Sequence, residues 1–566
     1  MTVEKPLNFE GLPIVVGITG HRDIPPDAVD PLRERFGEIL GELQTKYPST
    51  PLLVLSALAA GADVLAAEEA LARGIRVMAC LPMDQTDYEE DFTPEQTERF
   101  RSVLSRCSSV TVASSSSDRQ QAYSAAGTHI VYYSQLLVAF WDGEAGSGPG
   151  GTADMVRLRR TGIPSVMAGQ IIPYLPDIGP VFQIVTPREN KPLPRDVFTT
   201  LRHYPPRYDS DTRGQSDFEA ALANLDRYNR DVATQALDRS GEPLVDLMTR
   251  TDEAANKLQG KYVQSLHFVY GFALFAGAAQ IVEIPGGPII RMAILALAFL
   301  FFRAARKQDY ENRYQDYRAI SEGLRVQNAW CSAGLRERMV DAAYLRMQHS
   351  ELQWIRMAIR TAYLVFDART ARGGESTKSP ACMQWVQGQR DYYKRAAQRE
   401  EQKKRRITRI SEGSVVAGFA LTIIVIALAN LNGNYFSPKL VHDQQGAWYH
   451  GVMLRLNGMH LVHIAWLENH PRFVHFFETV PAPLAAMAAL LMRFYTQQRG
   501  FSESARRYQR MFTVFDYAAR RLHDIHEDGG QDSAHLVIEE LGREALTEHA
   551  DWLILHRERP LQFVQA

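Results

Sequence analysis

The first third of the chain alternates short apolar runs with amphipathic segments of helical length. Continuous Val, Ile and Leu runs are typical of strands buried on both faces, which occur in parallel sheets covered by helices. The alternation therefore predicts a doubly wound α/β domain. The expected strands are Pro13–Ile18, Leu52–Leu55, Arg76–Leu81, Ser109–Val112, Gln135–Phe140 and Val181–Val185. The expected helices are Pro31–Tyr47, Asp63–Arg73, Pro94–Cys107 and Ala153–Thr161.

A second segment, residues 187–260, opens with closely spaced Pro and Arg residues. Proline discourages regular structure, so this opening predicts a linker. Helical spacing returns at Phe218–Leu237 and Val245–Leu258, which predict a connecting helix.

Four apolar segments in the rest of the chain indicate membrane crossings. Leu266–Val282 and Ile289–Phe302 flank a Pro-Gly-Gly-Pro turn and predict a transmembrane hairpin over residues 261–303. Ser414–Leu431 is the most continuous apolar segment. Phe473–Tyr495, which charged and proline residues interrupt, would complete a second transmembrane pair with an extracytoplasmic loop over residues 412–495. The alternative is that all four are core helices of a soluble protein.

The positions of Lys and Arg predict the orientation in the membrane, because these residues favour the cytoplasmic side. Residues 304–411, expected to be a cytosolic helical region, are rich in both and end in Lys403-Lys404-Arg405-Arg406 and Arg409. More arginines begin the expected C-terminal cytosolic helices, residues 496–566. We therefore expect a multi-pass protein of the cell inner membrane with both termini in the cytoplasm. Lys403–Arg406 would contact lipid headgroups.

Composition narrows the classes of function. The 63 Lys and Arg balance 65 Asp and Glu, and a formal charge of −2 gives no electrostatic basis for a nucleic-acid partner. Four widely separated cysteines support neither a disulfide framework nor a zinc site. His460 and His463, with His450 and His470 nearby, lack a carboxylate or cysteine at ligand spacing, so we expect no metal. The polar N-terminus lacks the apolar core of a secretion signal.

Loops after the expected strands carry the residues of a ligand site. The first is Gly17-Ile18-Thr19-Gly20-His21-Arg22, where glycine lets backbone N–H groups approach an anion and Arg22 could hold a phosphate. The second is Ser56-Ala57-Leu58-Ala59-Ala60-Gly61-Ala62-Asp63. Asp63 would either accept hydrogen bonds from ribose hydroxyls or cap the following helix. Pro82, after the third strand, would form one wall of the pocket.

The third loop gives the strongest local signal. Asp142 and Gly143 are followed by Gly148-Pro149-Gly150-Gly151-Thr152, which leads into a helix. Backbone donors, a hydroxyl and the helix dipole would together form an anion cradle. The alternative is a flexible surface loop, since glycine-rich connections are common. Because open α/β sheets bind ligands at the carboxyl edge, we expect the three loops to lie together.

These motifs, GITGHR, SALAAGAD, LP and LLVAFWDG…GPGGTADMV in this order, resemble the SLOG superfamily of Rossmann-like nucleotide-binding domains over residues 1–186. That superfamily includes DprA-like proteins, LOG-type phosphoribohydrolases and sensor domains of TRPM-type channels. The resemblance implies nucleotide contacts at Gly20, His21 and Arg22 and at Gly150-Gly151-Thr152. The segments EGLRVQNAW, ELQWIRMAIR and WVQGQRDYY are similar to the SLATT-like membrane regions joined to SLOG domains in bacterial conflict-associated effectors.

Members of the superfamily that hydrolyse nucleoside monophosphates carry a PGGxGTxxE pattern whose glutamate is catalytic. Here the position three after Thr152 is Met155, and the nearest carboxylate is Asp154. The resemblance therefore favours binding without turnover, and we assign no catalytic residue. The alternatives are a membrane-tethered hydrolase that uses Asp154 or Asp63, and a transporter or structural membrane protein with a vestigial nucleotide domain.

The expected protein is a membrane-anchored sensor and effector in bacterial conflict, antiviral defence or stress signalling. Its partners would be a nucleotide-type small molecule, the lipid bilayer and further copies of the same chain, and no nucleic acid. Binding of a nucleotide-derived ligand would change the transmembrane helices and perturb the membrane or pass ions. No cofactor is required by this scheme.

Overall fold

The computed structural model of the protein describes residues 11–146, 148–163, 178–205, 211–235, 242–281, 287–335, 344–345, 352–366, 380–431, 475–476, 479–528 and 531–557. The chain forms two compact units. The sheet unit comprises Met1–Lys257, Arg313–Trp385 and Arg520–Arg557. The apolar-helix unit comprises Leu258–Asn312, Val386–Ala519 and Glu558–Ala566. Each unit takes in stretches from several of the six segments expected from the sequence.

The sheet unit contains a seven-stranded sheet in the order β4-β3-β2-β1-β5-β6-β7. Its strands are β1 Ile14–Gly20, β2 Leu52–Ser56, β3 Arg76–Leu81, β4 Ser109–Val112, β5 Leu136–Trp141, β6 Val181–Val185 and β7 Thr200–His203. β1 to β6 pair in parallel, and β7 pairs antiparallel with β6. Successive residues of β1, β2, β5 and β6 are buried, so both faces of the sheet are covered. The six expected strands are confirmed.

Helices cover the sheet because each crossover between parallel strands needs one. They are α1 Val29–Lys46, α2 Ala62–Ala72, α3 Gln85–Glu89, α4 Pro94–Leu104, α5 Arg119–Tyr133 and α6 Thr152–Thr161. α2 contacts both α1 and α4, while α5 contacts α6. Three further elements, α3, α5 and β7, were not expected from the sequence. Asp118 caps α5 by accepting hydrogen bonds from the Gln120 and Gln121 amides, and the helix buries small residues, so it lacks a strong apolar stripe.

The remaining helices of the chain are α7 Asp211–Ala233, α8 Pro243–Ile281, α9 Gly287–Gln308, α10 Tyr310–Ser332, α11 Gln353–Phe366, α12 Pro380–Leu431, α13 Pro481–Arg499, α14 Phe501–Asp528 and α15 Gln531–Arg557. Within the sheet unit, α11 packs against α5 and α7. The side-chain amide of Gln135, which lies just before β5, donates to the Thr361 hydroxyl of α11 (2.7 Å). Helix α11, which follows the linker in the chain, is thus hydrogen-bonded to the residue just before β5.

Helix α7 bonds to the sheet and to two other helices of the same unit. Asn229 exchanges hydrogen bonds with the backbone of Leu12, which precedes β1 (both 2.9 Å). The Tyr228 hydroxyl bonds Thr251 of α8 (2.7 Å), and Asp231 accepts from Tyr317 of α10 (2.6 Å) and pairs with Arg313. Nearby, Asp252 of α8 pairs with Arg318 and Arg325 of α10 (3.1 and 2.6 Å). Charged side chains inside this part of the chain are therefore paired with one another.

In the apolar-helix unit the burial pattern is different. Among the described residues, two helical stretches are long and apolar enough to cross a membrane, Gly287–Ser332 and Cys382–Ala427. They include most of the expected segments Ile289–Phe302 and Ser414–Leu431. Only 6% of each apolar window is buried within the protein, unlike the core helix of a soluble domain. The expected segment Leu266–Val282 is helical as far as Ile281 but does not meet the same criterion.

Some of the expected segments fall partly outside the described residues. Residues 432–474, with the four histidines considered as metal ligands, are among these. Of the expected segment Phe473–Tyr495, the structure describes α13 from Pro481 onward together with residues 475, 476, 479 and 480.

Helices of the apolar-helix unit approach one another at small residues. A Cβ atom added at Gly418 of α12 would lie 2.5 Å from Ala485 Cβ and 3.0 Å from Pro481 O, both on α13. A Cβ atom added at Gly277 of α8 would likewise clash with the Met487 side chain of α13. On α9, Arg291 donates to the Ala279 carbonyl of α8 (3.2 Å). Four helices of this unit, α8, α9, α12 and α13, are therefore linked by direct contacts.

Candidate functional site

The candidate site lies at the carboxyl edge of the sheet, beside β1 and β5. These two strands are neighbours, but the chain continues from β1 towards β2 and from β5 towards β6, in opposite directions across the sheet. At such a switch point the loops diverge and leave a crevice. The His21 amide donates to the Phe140 carbonyl (3.1 Å), and the Ala62 amide donates to the His21 carbonyl (3.0 Å). The loop after β1 is therefore bonded to both of its neighbours.

Two of the expected site glycines permit this close approach. A Cβ atom at Gly61, whose φ is +86°, would lie 2.5 Å from the His21 carbonyl oxygen. Gly20 lies against Ala62 and Phe140. Gly17 has a different role, because it lies inside β1 and leaves room for the Ser134 side chain. Thr19 is likewise a buried strand residue, 4% exposed.

A network of polar side chains joins the loops after β1 and β5. The His21 Nε2 atom is 3.0 Å from the Asp142 amide and 3.1 Å from Asp142 Oδ1. Arg188 pairs with Asp23 (3.0 Å) and approaches Asp142 Oδ2 (3.6 Å). This network links the loop after β1 to the loop after β5.

The electrostatics of this network favour a neutral imidazole. Burial lowers the pKa of His21, and Asp142 opposes this effect only in part. Burial would raise the pKa of Asp142, but the Glu144 amide, His21 and Arg188 hold it below its usual value. The Asp142 amide donates to His21 Nε2. The two residues position loops rather than form a strong ion pair.

The loop after β2 is organised around Asp63. The Asp63 carboxyl accepts hydrogen bonds from the Ala57 and Ala59 amides and from the Ser56 hydroxyl. Burial raises its pKa to about 7, although these bonds and Arg22 favour the charged form. Leu58 within the loop has a φ of +55°, which is unusual for a residue other than glycine. Asp63 does not cap α2, whose N-cap is Gly61 without a side-chain cap; its contacts are with the loop that precedes the helix.

Tyr123 of α5, which the sequence analysis missed, brings the first and third loops together. The Arg22 guanidinium lies 5.2 Å from the centre of the Tyr123 ring. A Cβ atom at Gly150 would lie 2.8 Å from the Tyr123 carbonyl carbon. The Tyr123 hydroxyl donates to Asp91, which also pairs with Arg119 (2.5 Å). No spacing pattern marks Tyr123 in the sequence; the only signal is an aromatic residue in the first turns of a helix that begins at the sheet edge.

The third loop forms only part of the expected anion cradle, because one of its backbone N–H donors is already hydrogen-bonded within the protein. Gly151 is the N-cap of α6 without a side-chain cap, and Thr152 is the first helical residue. The Gly150 amide, however, donates to the Asp154 carboxylate of the same helix (3.0 Å). An anion bound here would compete with Asp154 for this amide.

The other expected residues lie around the edge. Gly143, with a φ of +92°, and Gly148 are exposed, Arg22 is exposed, and Pro82 and Ser56 are buried. Six residues after Pro82, Tyr88 of α3 is fully buried, and its hydroxyl has no hydrogen-bond partner among the described residues. Burial raises the pKa of this hydroxyl, and the Asp63 carboxylate adds to the effect. The three loops are thus joined by contacts, while Gly17, Thr19 and Ser56 lie beneath the surface that a ligand would reach.

Met155 is packed in the domain interior. It is 5% exposed, and a Cβ atom at Gly127 of α5 would lie 3.2 Å from its Cγ atom. Met155 is therefore a core residue of the α/β domain. Among the described residues, no group of three or more His, Cys, Asp or Glu side chains is arranged to hold a metal ion.

No protein-family model matches the sequence, and no curated protein matches it significantly.

Proposed function

We propose that the chain is a membrane-anchored sensor. Its α/β domain, which we assign to the Rossmann-like SLOG type, binds a nucleotide-derived anion at the carboxyl edge of the sheet. The observation that carries the proposal is the meeting of the Arg22 loop and the Gly150 loop at Tyr123. A protein that joins an exposed arginine, an uncapped helix N-terminus and an aromatic ring can bind a phosphate and stack a base.

The phosphate would lie between Arg22 and the start of α6. Arg22 is exposed and can form a bidentate pair with phosphate oxygens, and the amides of α6 face an anion with a favourable dipole. The Tyr123 ring is half-buried beside Arg22 and offers a face to a base or sugar. The buried Met155 supplies no acid or base, which favours binding over hydrolysis.

The membrane anchor is supported by the exposed apolar windows. Side chains such as Ile289 (77% exposed) and Val416 (67% exposed) would form large apolar patches in water. In the hydrocarbon of a bilayer the same surfaces are stable, and each helix forms its backbone hydrogen bonds within itself. The direct contacts among α8, α9, α12 and α13 favour four crossings of the inner membrane. With the Arg- and Lys-rich middle region inside, both termini are cytoplasmic.

Helix α7 is the element that would couple the two functions. It holds the chain just before β1 through Asn229 and holds α8 and α10 through Tyr228 and Asp231. α8 continues along the chain into its apolar half, and α10 follows α9 after one residue. A ligand that shifts β1 would therefore bias the apolar helices, provided that it prefers one arrangement. The output would be membrane perturbation or ion passage by an oligomer of this chain, in conflict or stress signalling.

Calorimetry on the full chain in detergent tests the ligand proposal. The probes are a panel of nucleoside monophosphates, diphosphates and cyclic phosphates, together with ADP-ribose. We expect at least one to bind, and Arg22→Ala to weaken it by at least tenfold, as for a lost charge-assisted pair of about 1.5–3 kcal/mol. Arg195→Ala removes another exposed arginine and serves as the matched control. Equal binding by Arg22→Ala and Arg195→Ala, or no binding by the wild type, would contradict the proposal.

A further inference from the structure

Exposed cations flank both apolar windows of the apolar-helix unit. Arg303, Arg306 and Lys307 follow the apolar part of α9, and all three are exposed. On α12, Lys404, Arg406 and Arg409 precede the apolar part; the arginines are exposed and Lys404 is half-buried. We call these six residues the basic collar.

The collar side chains form no ion pairs with other described residues of the protein. Within the described part of the chain, no carboxylate lies at ion-pair distance from any of the six. Their neighbours Lys403 and Arg405 differ, because they pair with Glu400 (2.7 Å) and Glu401 (3.0 Å). α9 itself contains no Asp or Glu. The collar is therefore a set of free positive charges at the ends of two apolar helices.

A partner for the collar must be anionic and must lie where the apolar surface ends. The phosphate groups of a bilayer meet both conditions, since they border the hydrocarbon that the windows require. A cation near an anionic leaflet gains about 1 kcal/mol at low salt, equal to about fivefold in association. Neutral phosphatidylcholine offers phosphates but no negative surface potential, so the collar distinguishes the two lipid classes.

We propose that the basic collar selects anionic lipids, so that the protein gathers phosphatidylglycerol-type headgroups around α9 and α12. This inference rests on the membrane location proposed above. It goes beyond that location because an apolar anchor alone has no preference among headgroups. Attraction to an anionic leaflet is similar for Lys and Arg, so replacing each Arg by Lys preserves the preference.

Spin-labelled lipids measure this preference directly. The full chain is reconstituted in phosphatidylcholine vesicles with a trace of spin-labelled phosphatidylglycerol or phosphatidylcholine, and the motionally restricted fraction gives the relative association constant. We expect a preference of about threefold or more for phosphatidylglycerol at low salt, which falls towards one at 1 M salt because of screening. Two triple variants, R303Q/R306Q/K307Q and K404Q/R406Q/R409Q, each lower it.

The matched control, R106Q/R160Q/R195Q, removes three exposed arginines of the sheet unit and leaves the preference unchanged. Arg-to-Lys replacement at the four collar arginines also leaves it unchanged. The inference is overturned if the wild type associates equally with both lipids. It is also overturned if the glutamine variants keep the full preference. If alkaline carbonate extracts the wild-type chain from vesicles, the membrane location itself fails; an inserted chain without lipid preference contradicts the collar alone.

Discussion

Helices α9 and α10 are separated by a single residue, Asp309, yet they expose opposite kinds of surface. α10 buries Tyr317, Leu324 and Trp330. α9 exposes the apolar residues Ile289, Met292, Leu295, Leu297, Phe299 and Leu300. Since apolar burial drives folding in water, α10 has the burial pattern of a helix in a soluble core, whereas the exposed apolar side chains of α9 are those that the proposed membrane location would cover. The difference teaches that two helices of similar length, adjacent in the chain, can differ in whether their apolar side chains are buried by the protein itself.

The largest effect is expected from a core truncation in α10. Trp330 is 1% exposed, donates from Nε1 to the Ile538 carbonyl (3.2 Å) and packs on Gly542 of α15. Trp330→Ala should lower the free energy of unfolding by about 3–5 kcal/mol, through lost burial and a residual cavity. Urea titration in detergent, followed by circular dichroism, measures it. Leu536→Ala, at a site 67% exposed on α15, should change it by less than about 0.5 kcal/mol. Similar losses in both variants would remove the distinction between core and surface.

A charge in the apolar window of α9 should have the next largest effect. Leu297→Arg introduces a cation at an expected cost of about 3 kcal/mol near the middle of the hydrocarbon. The fraction of chain that resists carbonate extraction should fall sharply. Leu555→Arg on α15 is the matched control, because Leu297 is 56% exposed and Leu555 is 46% exposed. If both variants stay in the membrane equally well, the exposed surface of α9 does not face lipid.

A smaller effect is expected where α12 and α13 approach each other. Gly418→Ala must displace α13 because of the contacts with Ala485 and Pro481, at a cost of about 1–3 kcal/mol. Unfolding by SDS in mixed micelles measures the loss. Gly413→Ala, five residues earlier in the same helix, has no atom within 4 Å of the added methyl and should be neutral or slightly stabilising. A destabilised Gly413→Ala with a neutral Gly418→Ala would exclude this packing.

The last effect is spread over several pH units, and it is the pH dependence contributed by Asp63. Its pKa is raised from 3.8 to about 7 in the folded protein, so the folded state binds more protons than the unfolded state between these values. Stability should therefore fall as the pH rises from about 4 to 7, by at most about 1.4 kcal/mol per pH unit. Asp63→Asn should flatten the melting temperature over this range relative to wild type, whereas Asp27→Asn, at an exposed site, should not. Parallel pH curves for wild type and Asp63→Asn would contradict the assignment.

Much of the sheet could be predicted from the sequence, because buried parallel strands are continuous apolar runs that need no long-range information. All six expected strands are present, whereas β7 was missed because its four residues, TLRH, are mostly exposed and carry no such run. α5 was missed for a similar reason, since it buries Ala122, Ala126 and Gly127 rather than a stripe of large residues.

The candidate site was predictable at the level of loops and not at the level of contacts. The carboxyl edge could be expected from the alternation of strands and helices, because open α/β sheets bind ligands there. The roles of Asp63 and Asp154 depend on which amide each carboxylate reaches, and the role of Tyr123 depends on where α5 lies. These are long-range properties. In the apolar-helix unit, length and apolar content identified α9 and α12, but contacts such as Gly418 with Ala485 require the folded chain.

Hydrogen exchange of the full chain in lipid nanodiscs tests the central claim most directly, that a nucleotide held by the two loops at Tyr123 acts on the helices that lead to the membrane. The chain is compared with and without the nucleotides that bind in calorimetry. The account predicts slower exchange in residues 20–22 and 148–152 and altered exchange in α7 and the first half of α10, all lost in Arg22→Ala. Unchanged exchange at both loops, or changes confined to the loops with α7 and α10 unaffected, would contradict it.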